Sequence, residues 1–103
     1  DAHHQDRQSA GGGAQAEGVL LNGQPGSGPG PHRHPYDEIQ CNREGRGIYN
    51  VNGEVFEAGP GDILVIKAGE VHSFKCIGDT PLVQVDIHLS SRFIQENLPS
   101  KDP

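Results

Sequence analysis

The segment Pro31-His32-Arg33-His34-Pro35-Tyr36-Asp37-Glu38 decides how the rest of this chain is interpreted. Residues two apart in a β-strand point to the same face, with Cα atoms about 6.6 Å apart. The imidazoles of His32 and His34 can therefore converge on one metal ion, with bonds of roughly 2.1 Å. Pro35 keeps His34 out of helical angles and Pro31 fixes its own φ, so the pair is predicted to lie in extended chain.

Glu38 and His72 are the other two predicted ligands. Glu38 has the same strand parity as the two histidines and adds a carboxylate oxygen, whereas the lone His72 would arrive from another strand. Three neutral imidazoles and one carboxylate leave a divalent ion with a net charge near +1. Four such ligands close a tetrahedral zinc site, but in an octahedral site they leave two positions for water, substrate or dioxygen. The alternative is four polar residues on strand faces without metal.

Glycines frame these ligands in an order that resembles the two motifs of the cupin family. The first resemblance is Gly26-x5-His32-x-His34-x3-Glu38-x6-Gly45, and the second is Gly61-x5-Lys67-x-Gly69-x2-His72-x3-Cys76. Lys67 stands where the family usually has Pro and Cys76 where it usually has Asn, and neither position is a metal ligand in the family. The resemblance covers residues 19–89 and implies a small jelly-roll barrel around one divalent transition metal (Fe, Mn, Ni, Co, Cu or Zn).

The rest of the chain predicts an all-β fold independently of that resemblance. Residues 82–89 alternate between apolar and polar side chains, which is typical of a half-buried strand. Residues 48–57 read as a hairpin with an Asn52-Gly53 turn, and Ile63–Ile66 is a wholly apolar run. About seven or eight short strands between Gly/Pro turns predict a barrel or sandwich. A short C-terminal helix is predicted over 90–98, with a serine N-cap and an Ile94/Leu98 apolar pair.

The domain organisation is predicted to be simple. The 103 residues allow one domain, placed at 18–98 between a flexible tail over 1–17 and a short tail over 99–103. His3 and His4 lie in the first tail and are predicted to be incidental.

The amino-acid composition limits the kinds of partner that this chain is expected to bind. With 32% hydrophobic residues and no Trp or Met the core is thin, so a homodimer that covers one sheet face is expected. The net charge of −6 without a basic run disfavours nucleic-acid binding, and no apolar stretch approaches the 18 residues of a membrane span. Cys41 and Cys76 are predicted to face opposite sides and to stay unpaired, and a reducing cytoplasm is the expected compartment.

Strand parity places further polar side chains inside the predicted barrel. His88 and Tyr36 are the candidate catalytic residues, as a proton-transferring base and a hydrogen-bonding partner near the metal. Arg33 is expected to point to solvent. The candidate substrate-binding residues are Gln40, Asn42, Phe74, Gln84 and Asp86. Two amides where aliphatic side chains would be expected imply a small polar substrate, such as a hydroxy acid, a keto acid or a sugar acid.

The favoured hypothesis is a metalloenzyme that oxidises such a substrate, as a dioxygenase does. A metal-dependent isomerase or lyase is the alternative with a metal that is not redox-active. A non-catalytic sensor barrel is a third hypothesis, because residues 87–93 resemble the barrel end of sugar-sensing regulators of the arabinose-regulator type. A storage or structural role, as in metal-free cupins, is disfavoured by the intact ligand set.

Overall fold

The computed structural model describes residues 16–99 in full and residues 3–9 as backbone. Within these ranges the chain forms ten β-strands and no helix, and hence no helix that could cross a membrane. The strands are β1 (His3–Ser9), β2 (Glu17–Gly23), β3 (His32–Arg33), β4 (Glu38–Glu44), β5 (Arg46–Val51), β6 (Glu54–Ala58), β7 (Ile63–Ile66), β8 (His72–Ile77), β9 (Leu82–His88) and β10 (Glu96–Asn97).

The strands build two five-stranded antiparallel sheets. The strand order is β1-β2-β9-β4-β7 in the first sheet and β10-β3-β8-β5-β6 in the second. The sheets pack face to face, because the apolar core draws side chains from both of them. Its members are Leu21, Leu64 and Leu82 from the first sheet and Tyr49, Ala58, Phe74 and Cys76 from the second. The predicted all-β jelly-roll barrel is confirmed.

The two-residue alternation of the strands determines what lies inside the barrel. In β9 every second residue is buried, from Leu82 through Gln84 and Asp86 to His88. In β4 the buried residues are Glu38, Gln40 and Asn42. The interior is therefore divided along the strands, with hydrophobic side chains at one end and a cluster of polar side chains at the other.

The outer face of the first sheet is also apolar. Val85 of β9 pairs with Leu20 of β2 on one side and with Cys41 of β4 on the other, and Cys41 pairs in turn with Ile63 of β7. This row crosses four strands, and Ile63 at its end is 68% exposed. The predicted homodimer would cover such a face, and it stays a prediction. Both cysteines are free, with Cys76 buried and Cys41 half-buried on the outer side.

The predicted C-terminal helix is wrong. Residues 90–98 run in extended and bent conformations, and Glu96 and Asn97 form β10 against β3. Because β3 would otherwise be the edge of its sheet, its backbone groups pair with this segment, and the tertiary pairing overrides the local helical pattern. The Arg33–Glu96 ion pair at 2.8 Å joins the two strands on the exposed side, so Arg33 points outward as expected.

The N-terminal segment contributes a strand that the sequence did not predict. β1 pairs with β2 along its whole length, from His3 opposite Gly23 to Ser9 opposite Glu17. Its residues are polar and show no alternation, so the sequence carries no signal for a strand there. The predicted flexibility of this tail and the predicted domain boundaries stay predictions.

Two glycines in turns provide a test of the backbone geometry. We expect Gly45→Ala to lower the free energy of unfolding by at least about 2 kcal/mol, measured by urea denaturation. Gly45 has a φ of +75°, and a Cβ there would collide with the backbone of Pro81 and Leu82. Gly53→Ala is the matched control, because Gly53 has a φ of +92° but open space around it, and it should cost about 1 kcal/mol. Equal losses would contradict the close packing at Gly45.

Candidate metal centre

Three strands and one connection bring the four predicted ligands together at the polar end of the barrel. His32 lies in β3, directly opposite His72 in β8, and His34 follows β3. Glu38 begins β4 in the other sheet. All four side chains are buried, with exposed fractions between 2% and 6%.

The three imidazoles are oriented by the backbone. Their Nδ1 atoms lie at hydrogen-bonding distance from carbonyl oxygens, with His32 2.8 Å from Gly30, His34 2.7 Å from Ile94 and His72 3.0 Å from Glu70. A carbonyl only accepts hydrogen bonds, so each Nδ1 carries the proton. In the neutral imidazole the lone pair is then on Nε2. This is the arrangement by which proteins commonly fix metal-binding histidines.

The carboxylate of Glu38 faces two of these Nε2 atoms. Its Oε1 is 3.2 Å from Nε2 of His72 and 3.3 Å from Nε2 of His34, and the latter nitrogen makes no hydrogen bond with the described residues. Lone pairs on both sides of such a contact repel unless a positive charge lies between them. A proton or a metal ion meets that need, and one ring nitrogen from each of His32, His34 and His72 comes within 4.8 Å of the other two. The nitrogen and oxygen donors fit a divalent transition metal.

The pKa values of His32 and His34 are shifted in opposite directions. Burial lowers the pKa of His32 to about 4. Burial also lowers the pKa of His34, but the facing carboxylate of Glu38 and the hydrogen bond to the carbonyl of Ile94 outweigh that effect, so the net shift is upward. The pKa of Glu38 is raised by burial and lowered further by the facing rings of His34 and His72 and by the hydrogen bond from Gln40, so the carboxyl is ionised.

Tyr36 and His88, the predicted catalytic residues, lie side by side beside Glu38. The hydroxyl of Tyr36 is 2.7 Å from Nδ1 of His88, and Nε2 of His88 is 3.7 Å from Oε2 of Glu38. The nitrogens of His34 and His88 and the carboxylate of Glu38 also come within 4.8 Å of one another. Burial lowers the pKa of His88, so this imidazole is neutral at neutral pH.

The C-terminal segment closes the cluster, which the sequence analysis missed. The Phe93 ring lies 5.8 Å from the His34 ring and 5.3 Å from the His88 ring, measured between centroids. Besides accepting from His34, the backbone of Ile94 forms two 3.2 Å hydrogen bonds with the hydroxyl of Tyr36. The helical pattern of this segment concealed its role, and no feature of the sequence alone would have revealed it.

The remaining predicted side chains line the interior beneath the cluster. Gln40 donates to Glu38 at 3.0 Å, and a buried chain of hydrogen bonds joins Asn42, Tyr49, Gln84 and Asp86. Burial and the charge of Glu38 hold the pKa of Asp86 well above its usual range. Phe74 stacks on Tyr49 with centroids 5.2 Å apart, so it belongs to the apolar end of the interior.

Tyr49 is the central residue that the sequence analysis missed. In β5 the buried residues are Gly47 and Tyr49, which alternate with exposed ones. Alternation over residues 47–51 could have assigned Tyr49 to the interior, but both sets of alternate residues mix polar and apolar types, so the pattern is hidden.

Comparison with known proteins gives the same architecture. The family model of the cupin domain matches residues 19–88, and no curated protein sequence matches the chain significantly. A cupin-2 domain protein from Rhodospirillum rubrum superposes with a TM-score of 0.84 at 21% identity, covering 97% of this chain and 67% of that one.

Two solved enzymes have the same fold. An oxalate oxidase in complex with the substrate analogue glycolate superposes with a TM-score of 0.82 at 18% identity, covering 95% of this chain and 56% of that one. A variant of the oxalate decarboxylase of Bacillus subtilis superposes with a TM-score of 0.74 at 26% identity, covering 82% of this chain and 24% of that one. This chain thus spans about half of the first enzyme and a quarter of the second.

The electrostatics predict an order of protonation in the metal-free protein. We expect His34 to take up a proton at a higher pH than His32, which should stay neutral down to about pH 4. Because the folded pKa of His32 lies below its unfolded value of 6.5, the stability that it contributes is lost as the pH falls from about 6.5 to about 4. Long-range proton–nitrogen correlation NMR across this range reads both rings and their tautomers. A His32 that protonates before His34 would contradict the described geometry.

Proposed function

This chain belongs to the cupin domain family, and from that premise we propose that it is a metalloenzyme that oxidises a small polar acid. Its proposed cofactor is one divalent transition metal held by His32, His34, Glu38 and His72. The proposed reaction is dioxygenase-like, with dioxygen as the oxidant and both of its atoms entering the product.

One observation carries this proposal. The Nε2 lone pair of His34 faces the ionised carboxylate of Glu38 at 3.3 Å, within a buried cluster whose Nδ1 atoms are all engaged by the backbone. Two acceptors held this close in a buried site require a positive charge between them, and a metal ion shared with the converging rings of His32 and His72 would supply it.

The bound ion would supply Lewis acidity, and a redox-active ion would also supply electron transfer to dioxygen. The chain's own contribution is to hold the ligands. Hydrogen bonds to the carbonyls of Gly30, Ile94 and Glu70 fix the imidazoles before any ion arrives, so little reorganisation is required. An octahedral ion held by these four residues would have two positions free for a substrate or for dioxygen. The Phe93 ring, which packs against the rings of His34 and His88, is proposed to limit the access of water to the cluster.

The pair formed by Tyr36 and His88 is proposed to move a proton. A neutral imidazole hydrogen-bonded to a phenol at 2.7 Å and buried beside Glu38 can accept a proton from a substrate and hold it as an imidazolium, which the Glu38 carboxylate stabilises and the Tyr36 hydroxyl orients, until it returns the proton to the product. This pair favours a second candidate function, a metal-dependent isomerase or lyase, in which proton transfer rather than oxidation is the chemical step.

The class of substrate is proposed from the lining and from the named enzymes. Oxalate oxidase and oxalate decarboxylase act on a two-carbon dicarboxylic acid, and their fold is the fold of this chain. The interior here is lined by amides, a phenol and a buried carboxyl, which suits a small acid rich in oxygen. Because the chain spans only part of those enzymes, the substrate itself is a proposal.

His34→Ala tests the metal site. We expect protein purified without an affinity tag to contain about one transition-metal ion per chain by elemental analysis, and we expect the variant to lose it. Removing one of four ligands also removes the imidazole that Glu38 faces. Oxygen uptake on small hydroxy and keto acids should be lost with the metal.

Lys75→Ala is the matched control, because Lys75 lies on β8 three residues after His72 with an exposed side chain. It should retain metal and activity. Stoichiometric metal in His34→Ala would refute the ligand assignment. Wild-type protein that takes up no metal, even on reconstitution, would indicate a non-catalytic binding barrel.

His88→Ala and Tyr36→Phe test the proton-transfer pair. Both should keep the metal, because neither side chain is among the four ligands, and both should lower turnover by about 10²-fold or more. The dependence of turnover on pH should also change, since the titrating partner of the pair is altered. Unchanged turnover and pH profile in His88→Ala would exclude a catalytic role for this histidine.

A further inference from the structure

Two buried amide oxygens inside the barrel lack a hydrogen-bond partner among the described residues. They are Oε1 of Gln40 and Oδ1 of Asn42, on side chains that are 1% and 4% exposed. Leaving a buried polar atom unpaired costs about 1–3 kcal/mol, so a pair of them in one small interior points to a ligand.

The hydrogen bond with Glu38 fixes the orientation of the Gln40 amide. Its Nε2 donates to Oε2 of the carboxylate at 3.0 Å. A flipped amide would place its oxygen against the carboxylate oxygen, and two acceptors would then repel. The unpaired atom of Gln40 is therefore its amide oxygen, an acceptor, and the nitrogen of the same amide is bonded to the proposed metal ligand Glu38.

A longer chain of hydrogen bonds fixes Asn42. Gln84 donates to Oδ1 of Asp86 at 2.7 Å, and the hydroxyl of Tyr49 donates to Oε1 of Gln84 at 2.7 Å. The single hydroxyl proton of Tyr49 is used in that bond, so Asn42 must donate its own Nδ2–H to the Tyr49 oxygen at 3.0 Å. The oxygen of Asn42 is left over as a second acceptor.

Both acceptors lie on the inner face of β4, in line with Glu38. Successive inward positions of a strand are about 6.6 Å apart, so the row Glu38, Gln40, Asn42 leads from the ligand cluster toward the apolar end of the interior. Packing does not require amides there, because aliphatic side chains fill the neighbouring inward positions at Leu64 and Ile66 of β7.

We propose that the oxygens of Gln40 and Asn42 form a hydroxyl-binding subsite that begins beside the metal centre at Gln40 and continues inward to Asn42, so that the substrate is a hydroxy acid or polyhydroxy acid. A hydroxyl group donates the hydrogen bond that each oxygen lacks. Oxalate at neutral pH has only acceptor oxygens and would leave both unpaired, beside the charge of Glu38. This inference rests on the proposed metalloenzyme and sharpens its substrate class.

Calorimetric titration of the zinc-loaded protein tests the subsite, because zinc is not redox-active and can take a fifth ligand beyond the four side chains. Lactate and pyruvate both offer a carboxylate to the zinc ion, but only lactate offers a hydroxyl donor. We expect lactate to bind at least about tenfold more tightly than pyruvate. In Gln40→Met the ratio should fall to near one, because the acceptor is lost. Cys41→Ala, on the same strand with its side chain on the opposite face, is the matched control and should keep the ratio.

A second variant covers the event that Gln40→Met does not fold or does not hold zinc. Asn42→Leu should abolish a preference for glycerate over lactate, since glycerate carries the additional hydroxyl. Zinc content is measured in every sample. A ratio near one in zinc-loaded wild-type protein, or a preference that persists in the variants, would overturn the subsite and leave the metal site intact. Failure of wild-type protein to bind zinc would overturn both proposals.

Discussion

The contact between the Glu38 carboxylate and the Nε2 atoms of His34 and His72 is the constraint on which the polar end of the barrel depends. The imidazoles of His32, His34 and His72 each donate their one N–H to a backbone carbonyl, so their other nitrogens face the cluster as acceptors. A site built in this way is electrostatically incomplete by itself, and its stability is linked to whatever cation it takes up. The backbone bonds, rather than packing, give it this character.

The hydrophobic part of the interior offsets the free-energy cost of burying that polar cluster. Hydrophobic side chains around Tyr49, Phe74 and Leu82 fill one end, and the hydroxyl of Tyr49 begins the polar part of the interior through its hydrogen bonds with Asn42 and Gln84. Tyr49 suits the boundary because its ring packs against Phe74 and its hydroxyl both accepts and donates. A thin hydrophobic core and a large buried polar network are thus parts of one arrangement.

Strand parity accounts for how much of this could be predicted from the sequence. Alternation assigns four polar residues to the inner face, and the structure buries all of them there: His32, Glu38, Gln84 and His88. A shift of one residue along a strand would turn its whole set of inward side chains outward, so the inner face is strongly specified. The C-terminal segment could not be predicted, because its conformation is set by pairing with β3, sixty residues earlier. The polar strand β1 gave no signal for the same reason: its partner, not its composition, makes it a strand.

The carbonyl of Ile94 has a consequence for how the protein is made. The ribosome synthesises His34 long before Ile94, and the imidazole has no fixed orientation until that carbonyl reaches it. In the nascent chain His34 is therefore the last of the three imidazoles to be oriented, because His32 and His72 find their carbonyls two residues earlier in the sequence. Uptake of the proposed ion would then be a late event, which follows the docking of the C-terminal segment.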